Sequence, residues 1–333
     1  MSTTAQVDGS RVGVLLGSTT KPEDIASLAK WVQDNGFGEL WVPEDYFFLG
    51  GIAASAIALS ATDRVRVGVS VVASVVRHPA LLAMEIATLT RAFPGRFAPG
   101  IGHGVPGWTA QMGLTVRSPM SALRETLTGV RRLLGAETVT DEGRVHSFTE
   151  VSLTHPPADR VPLYVGVLGD KGIALTGELA DGLVVSVLST PEYVAGARIK
   201  LDAAAAEAGR EDKPELVVLC AINLSNDSAA AVRTRDQIKP ALAFYLAATG
   251  PNPMLGSIGG NDVLAEMLTL GGPEVVLAEM PEHWVDAMSI TGTPAEAEVA
   301  LKRLFEAGAD KVVVVPLIED NGRESLSAIA SLF

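Results

Sequence analysis

Short apolar runs recur along the chain with room for a helix between most neighbours. RVGVLLG (11–17), ELWVP (39–43), RVRVGVS (64–70), RFAPGIG (96–102), PLYVGV (162–167), GLVVSV (182–187), LVVLCAIN (216–223) and KVVVVP (311–316) predict eight strands. The segments between them carry helical spacing. Ile25, Leu28, Ala29 and Val32 fall on one helical face, as do Leu82, Ile86, Leu89 and Phe93. Helix starts are marked too. Thr293-Pro294-Ala295-Glu296 reads as a capping box with proline at the first helical position, and Thr20, Ser118 and Thr190 stand at or near a proline. Gly308 sits where a helix C-terminal glycine belongs, just before the last strand.

Eight strand–helix pairs predict an α/β fold, a (β/α)8 TIM barrel, in a single domain over 1–333. The rival is a doubly wound open sheet, which the same alternation allows. A plain barrel needs about 250 residues, so the 333-residue chain carries extra material. The excess gathers at 136–160, which reads as a small hairpin, and at 235–290, which reads as several helical pieces.

In a barrel the functional groups collect at the C-terminal ends of the strands. That position selects Gly17–Ser18, Glu44–Asp45–Tyr46, Ser70–Val71, Gly102–His103–Gly104, Leu168–Gly169–Asp170, Ser186, Asn223 and Pro316–Glu319. Composition narrows the chemistry further. A net charge of −13 argues against nucleic acid and anionic membranes as partners. No apolar stretch approaches the roughly 20 residues of a membrane helix. The opening MSTTAQVDGSR lacks the pattern of a secretory signal, and the single cysteine, Cys220, sits inside an apolar run as an inert thiol. These features predict a cytoplasmic protein.

Gly102-His103-Gly104-Val105-Pro106-Gly107 matches G-x-G-x-x-G in form, but it lies in the fourth unit and does not promptly open a helix, so it is a poor dinucleotide fingerprint. A purely structural loop is one alternative; main chain pressed against a planar ring is the reading favoured here. WVPEDYFFLGG (41–51) places two acids among aromatic residues after the second strand, a combination found in solvated loops and in cofactor pockets alike. Arg77 and His78 precede Pro79, and a helix N-terminus with adjacent cations can hold an anion. The turn GVLGDKG, followed by a helix and carrying Lys171, suits a phosphate. His146, His155 and His283 lack partners at ligand spacing, so no metal is expected. The order of a P-loop is absent as well.

Together FGELWVPEDYF, RVRVGVSVVASVVRHPALLAMEIATL, GRFAPGIGHG, PLYVGVLGDKGIALTGELADG and ITGTPAEAEVALKRLFEAGADKVVVVP resemble the luciferase-like flavin and deazaflavin oxidoreductases. Within that superfamily the chain is most similar to the enzymes that use coenzyme F420, of the methylenetetrahydromethanopterin reductase type. The resemblance implies a barrel with an insertion near the C-terminus, a homodimer and a small-molecule substrate. It implies that Asp45 touches the deazaflavin, that Tyr46 takes the position often held by a catalytic histidine, and that a non-proline cis peptide at Ser70–Val71 backs the ring. Gly102, His103 and Gly104 would contact the ring, with Ala73 lining the same side. Leu168, Gly169, Asp170, Lys171 and Gly172 would receive the phosphate of the cofactor side chain. Asp45, Tyr46 and His103 are the catalytic candidates, His103 being the easier proton carrier at neutral pH. Trp108, Phe47, Phe48 and residues from 235–290 would wall the substrate pocket. Where the F420-dependent sugar-phosphate dehydrogenases carry a catalytic glutamate, this chain has Val105. An FMN-dependent monooxygenase and a non-catalytic flavin-binding protein are the alternatives.

Overall fold

The computed structural model describes residues 7–318 and 322–333; the first six residues of the opening segment, and Glu319 among the strand-end positions, lie outside that range. Eight parallel strands close on themselves. In chain order the strands are β1 (Val12–Leu15), β2 (Glu39–Val42), β3 (Arg66–Ala73), β4 (Phe97–Gly102), β5 (Val139–Glu142), β6 (Ser147–Val151), β7 (Tyr164–Gly166), β8 (Gly182–Val185), β9 (Glu215–Leu224), β10 (Ser289–Gly292) and β11 (Lys311–Pro316). The closed ring runs β1-β2-β3-β4-β7-β8-β9-β11, with β11 returning to β1. This is the (β/α)8 barrel, and the open-sheet rival is excluded by that closure.

All eight predicted apolar runs supply the ring strands. Their side chains are shut away from water, with Val14, Leu40, Val67, Ile101, Val165, Leu183, Val218 and Val313 fully or almost fully buried. Each such side chain contributes about 1.5–3 kcal/mol on leaving water. The helices begin as their caps predict. Thr293 accepts from the Glu296 backbone N–H while Glu296 accepts from that of Thr293, opening the helix Pro294–Glu306.

Outside the ring, β5 and β6 form an antiparallel hairpin within 136–160. Glu125 fastens its turn by accepting backbone N–H bonds from Arg144, Val145 and His146 at 2.9–3.0 Å. The region 235–290 holds helices Ser228–Thr249, Pro253–Gly256, Asn261–Gly271, Pro273–Glu279 and Glu282–Met288, the first starting before 235. The short strand β10 is not evident in the apolar pattern. It pairs with Ala221–Leu224, the upper part of β9, beyond the last residue that β8 pairs.

At the opposite, N-terminal end of the ring the first residues of five strands meet in an ionic network. Arg66 donates to Glu39 and Glu215 and, at 2.7 Å, to the Tyr164 hydroxyl, while Lys311 lies 3.7 Å from Glu39. Trp41 Nε1 also donates to Glu39 at 2.7 Å.

Candidate active site

A cleft of about 390 Å³ opens at the C-terminal mouth of the barrel. Asp45 enters it from the loop after β2, Ser70 and Val71 from β3, His103 and Gly104 from the loop after β4, and Leu168 from the turn after β7. Six of the predicted site residues are thus brought together by four separate chain segments.

The shape of this mouth originates in β3. The pairing between β3 and β4 shifts register between Val69 and Val72, and the Ser70–Val71 peptide bond is cis. Val71 is thereby directed toward β4 and β7. A Cβ on Gly102 would stand 2.5 Å from Val71 Cγ2, and one on Gly166 would stand 2.5 Å from Val71 Cγ1. At Gly100 the obstacle is the Val69 carbonyl oxygen, 2.2 Å away. At Gly100 and Gly102 a side chain would collide with strand β3, and Gly102 is not among the residues that line the cleft. Gly104 does line it, and there the backbone requires glycine in its own right. Its φ is +69°, and a Cβ would meet that of Ala73 at 2.6 Å. Ala73 is buried beneath that loop and is not a lining residue.

A carboxylate hub borders the cleft, with Glu44 among its lining residues. Glu44 is almost completely buried and accepts two bonds from Arg77 at 2.6 and 3.0 Å, one from the Gly51 N–H at 3.0 Å and one from the Tyr46 hydroxyl at 3.1 Å. Four donors satisfy what would otherwise be a costly buried charge. Arg77 also lies 3.4 Å from Glu85. It is a structural cation and does not form the anion site its place before a helix suggested. His78 caps that helix, Nδ1 accepting from the Ala80 N–H at 3.2 Å.

The hub also revises Tyr46. Its hydroxyl is turned to Glu44, and burial, with that carboxylate beside it, pushes its pKa up to about 12. Tyr46 stands behind the cleft and is not one of its lining residues. The Tyr46–Phe47 peptide is a second cis bond, unanticipated by the sequence.

Two groups in the cleft keep chemical capacity. Asp45 accepts a short hydrogen bond from the Ser18 hydroxyl in the loop after β1. His103 has its Nδ1 buried without a hydrogen-bond partner, and burial lowers its pKa below the ordinary histidine value. Tyr245, in the helix Ser228–Thr249, is near enough for Asp45 to help hold its phenol protonated, second to burial. Ser18 and Glu44 are among the strand-end positions selected from the sequence, without an assigned role, and Tyr245 falls within 235–290 but, some two hundred residues from Asp45, carried no signal of its own.

The turn after β7 continues from the cleft edge. The Leu168 carbonyl accepts from the Tyr193 hydroxyl at 2.8 Å, and Gly172 and Ile173 donate to the Gly169 carbonyl as the helix Asp170–Leu179 begins. A Cβ on Gly172 would stand 2.7 Å from that of Val167. Asp170 bonds Lys200 at 2.6 Å, and Lys171 is exposed. Gly169, Asp170, Lys171 and Gly172 lie outside the set that lines the cleft. Among the described residues no group of three or more His, Cys, Asp and Glu side chains is placed to hold a metal.

Comparison with known proteins bears on this geometry. A 5,10-methylenetetrahydromethanopterin reductase of Methanolobus tindarius is 25% identical over 315 residues, covering 92% of this chain and 94% of the relative. The solved structure of the coenzyme F420-dependent tetrahydromethanopterin reductase from Methanopyrus kandleri superposes with a TM-score of 0.83 at 24% identity, covering 96% of this chain and 97% of that one. An F420-dependent secondary alcohol dehydrogenase, solved with an F420-acetone adduct, superposes with a TM-score of 0.78 at 21% identity over 97% and 99% of the two chains. The family model described as luciferase-like monooxygenase matches residues 5–311, and this chain belongs to that family.

Proposed function

We propose that this protein is a coenzyme F420-dependent oxidoreductase that transfers a hydride between the deazaflavin and a small organic substrate. The observation that carries the reading is the cleft itself, where an anchored carboxylate, the Val71 side chain, a glycine of positive φ and a histidine with an unpaired buried nitrogen converge. The relatives named for F420 support it.

The residues fit a flat heterocycle. A cleft of about 390 Å³ is within the range that holds small-molecule ligands. His103 Nδ1 is a buried polar atom lacking a partner that a ligand would supply. When bound, the deazaflavin supplies two-electron hydride chemistry at its C5. The protein's part is to hold and orient. Asp45, fixed by Ser18, would hold the polar edge of the ring, and Val71 with Gly104 would supply the surface on which it rests. His103 is neutral at pH 7 because its pKa is lowered, so Nδ1 accepts the proton that leaves an oxidised substrate and returns it in the reverse direction. The turn Leu168–Gly172, which carries the exposed Lys171, would receive the phosphate of the cofactor side chain.

The assembly belongs to the same reading. Ala53 and Ile57 are exposed on the helix Gly51–Ala61, and Leu81 and Met84 on the helix Pro79–Ala92. These apolar faces favour a homodimer. Among the described residues no helix is long and apolar enough to cross a membrane, which with the lone buried Cys220 favours the cytoplasm.

Titration of the purified protein with F420 and with FMN tests the proposal. Saturable F420 binding, and oxidation or reduction of the bound deazaflavin without oxygen uptake, is the expected result. Tight FMN binding with oxygen consumption would instead establish the monooxygenase.

A further inference from the structure

Building on the assignment of this cleft to cofactor and substrate, we infer that the substrate is an uncharged, flat and largely apolar molecule, selected by an aromatic rim of Phe47, Phe48 and Trp108 with Val105. Phe47 is 65% exposed and Phe48 57%, and in the chain they follow closely on the cleft residue Asp45. The rim has internal order. The Phe48 ring meets the Trp108 ring edge-on at 6.4 Å, and Trp108 lines the cleft. Val105, also a lining residue, is 45% exposed. Rings in this arrangement offer faces and edges to a planar partner and little to a hydrated one.

Charge points the same way. Among the described residues that line the cleft none is lysine or arginine, and its two formal charges, Glu44 and Asp45, are both acidic. Arg77, which approaches from behind, is occupied by Glu44 and Glu85. A phosphate or carboxylate entering here would lose its water and meet two carboxylates without a free cation, against a protein of net charge −13. A cationic substrate gains little either. Glu44 is saturated by its four donors, and Asp45 is committed to Ser18 and to the cofactor.

Two probes of matched shape, p-methylacetophenone and p-acetylbenzoate, separate the possibilities. Each is dialysed to equilibrium against the wild-type protein with and without saturating F420, at low salt. The neutral ketone should bind at least about tenfold more tightly than the carboxylate in both arms, since only the latter must bring a charge into the cleft. Phe48→Ala, a truncation at an exposed position, should weaken the ketone about fivefold and leave F420 affinity within about twofold. Equal or tighter binding of the carboxylate, failure of both probes to bind, or no effect of Phe48→Ala on the ketone would overturn the inference. Failure of F420 itself to bind would defeat the cofactor assignment; the ratio between probes measured without F420 would still decide the question of the substrate.

Discussion

At the scale of single residues the account turns on Asp45 and His103. Asp45 is held by the Ser18 hydroxyl and opens into the cleft, so Asp45→Ala should weaken F420 binding by at least about 1 kcal/mol, the worth of one buried hydrogen bond. Fluorescence titration giving unchanged affinity would remove Asp45 from the cofactor site. Histidine behaviour makes a separate forecast. Burial lowers the pKa values of both His103 and His146. A histidine kept neutral in the fold but free to protonate once unfolded adds stability above its ordinary pKa, and that stability is lost as pH falls below about 6.5. Melting temperature should therefore drop between about pH 7.5 and about pH 5.5, and His146→Gln, which retains a donor toward the Ser74 carbonyl, should flatten the drop. An identical slope in the variant would mean that His146 is not one of the titrating groups. Residue roles were the least legible part of the sequence. WVPEDYFF announced a polar site, yet which acid faces outward depends on Arg77, Gly51 and Tyr46 closing around Glu44, and only the tertiary structure brings those groups together.

At the scale of elements, β3 dictates the glycines of its neighbours. Gly166 has a single kind of obstacle to a side chain, the Val71 side chain at 2.5 Å. Gly166→Ala should cost about 1–3 kcal/mol by overpacking, and in a Val71→Ala background that cost should fall by at least half. Urea unfolding of the four proteins measures the coupling; additive costs would show that Val71 is not what the glycine accommodates. The elements themselves were read well, for a simple reason. Each ring strand is an apolar run, and several helix starts carry a hydroxyl before a proline, as at Ser118-Pro119, Thr190-Pro191 and Thr293-Pro294. The alternating glycines of β4 announced that room is needed, but a sequence does not show that Val69 and Val71 of β3 take part of it. Strand β10 escaped notice because its four residues, Ser289–Gly292, carry a single large apolar side chain, Ile290.

At the scale of the whole molecule the two ends of the barrel divide the labour. The N-terminal end holds the Arg66 network, where Glu39 is only 2% exposed. Arg66→Met would leave Glu39 and Glu215 without their principal cation, and the expected loss is about 3–5 kcal/mol of stability. F420 affinity should be unaffected while the protein remains folded, because the cleft lies at the other end. Weakened binding in the folded variant, checked by titration below its melting temperature, would argue against this division. The proposed chemistry sits in the loops of the C-terminal end, and the claim that unites them is that a deazaflavin rests there against Val71 and Gly104, beside His103. A crystal structure of the protein soaked with F420 examines that claim most directly. The ring should appear in the cleft between Asp45 and the turn that begins at Leu168, with a polar atom within hydrogen-bond reach of His103 Nδ1. A ring bound at any other place, or a cleft that stays filled by side chains at saturating F420, would contradict it.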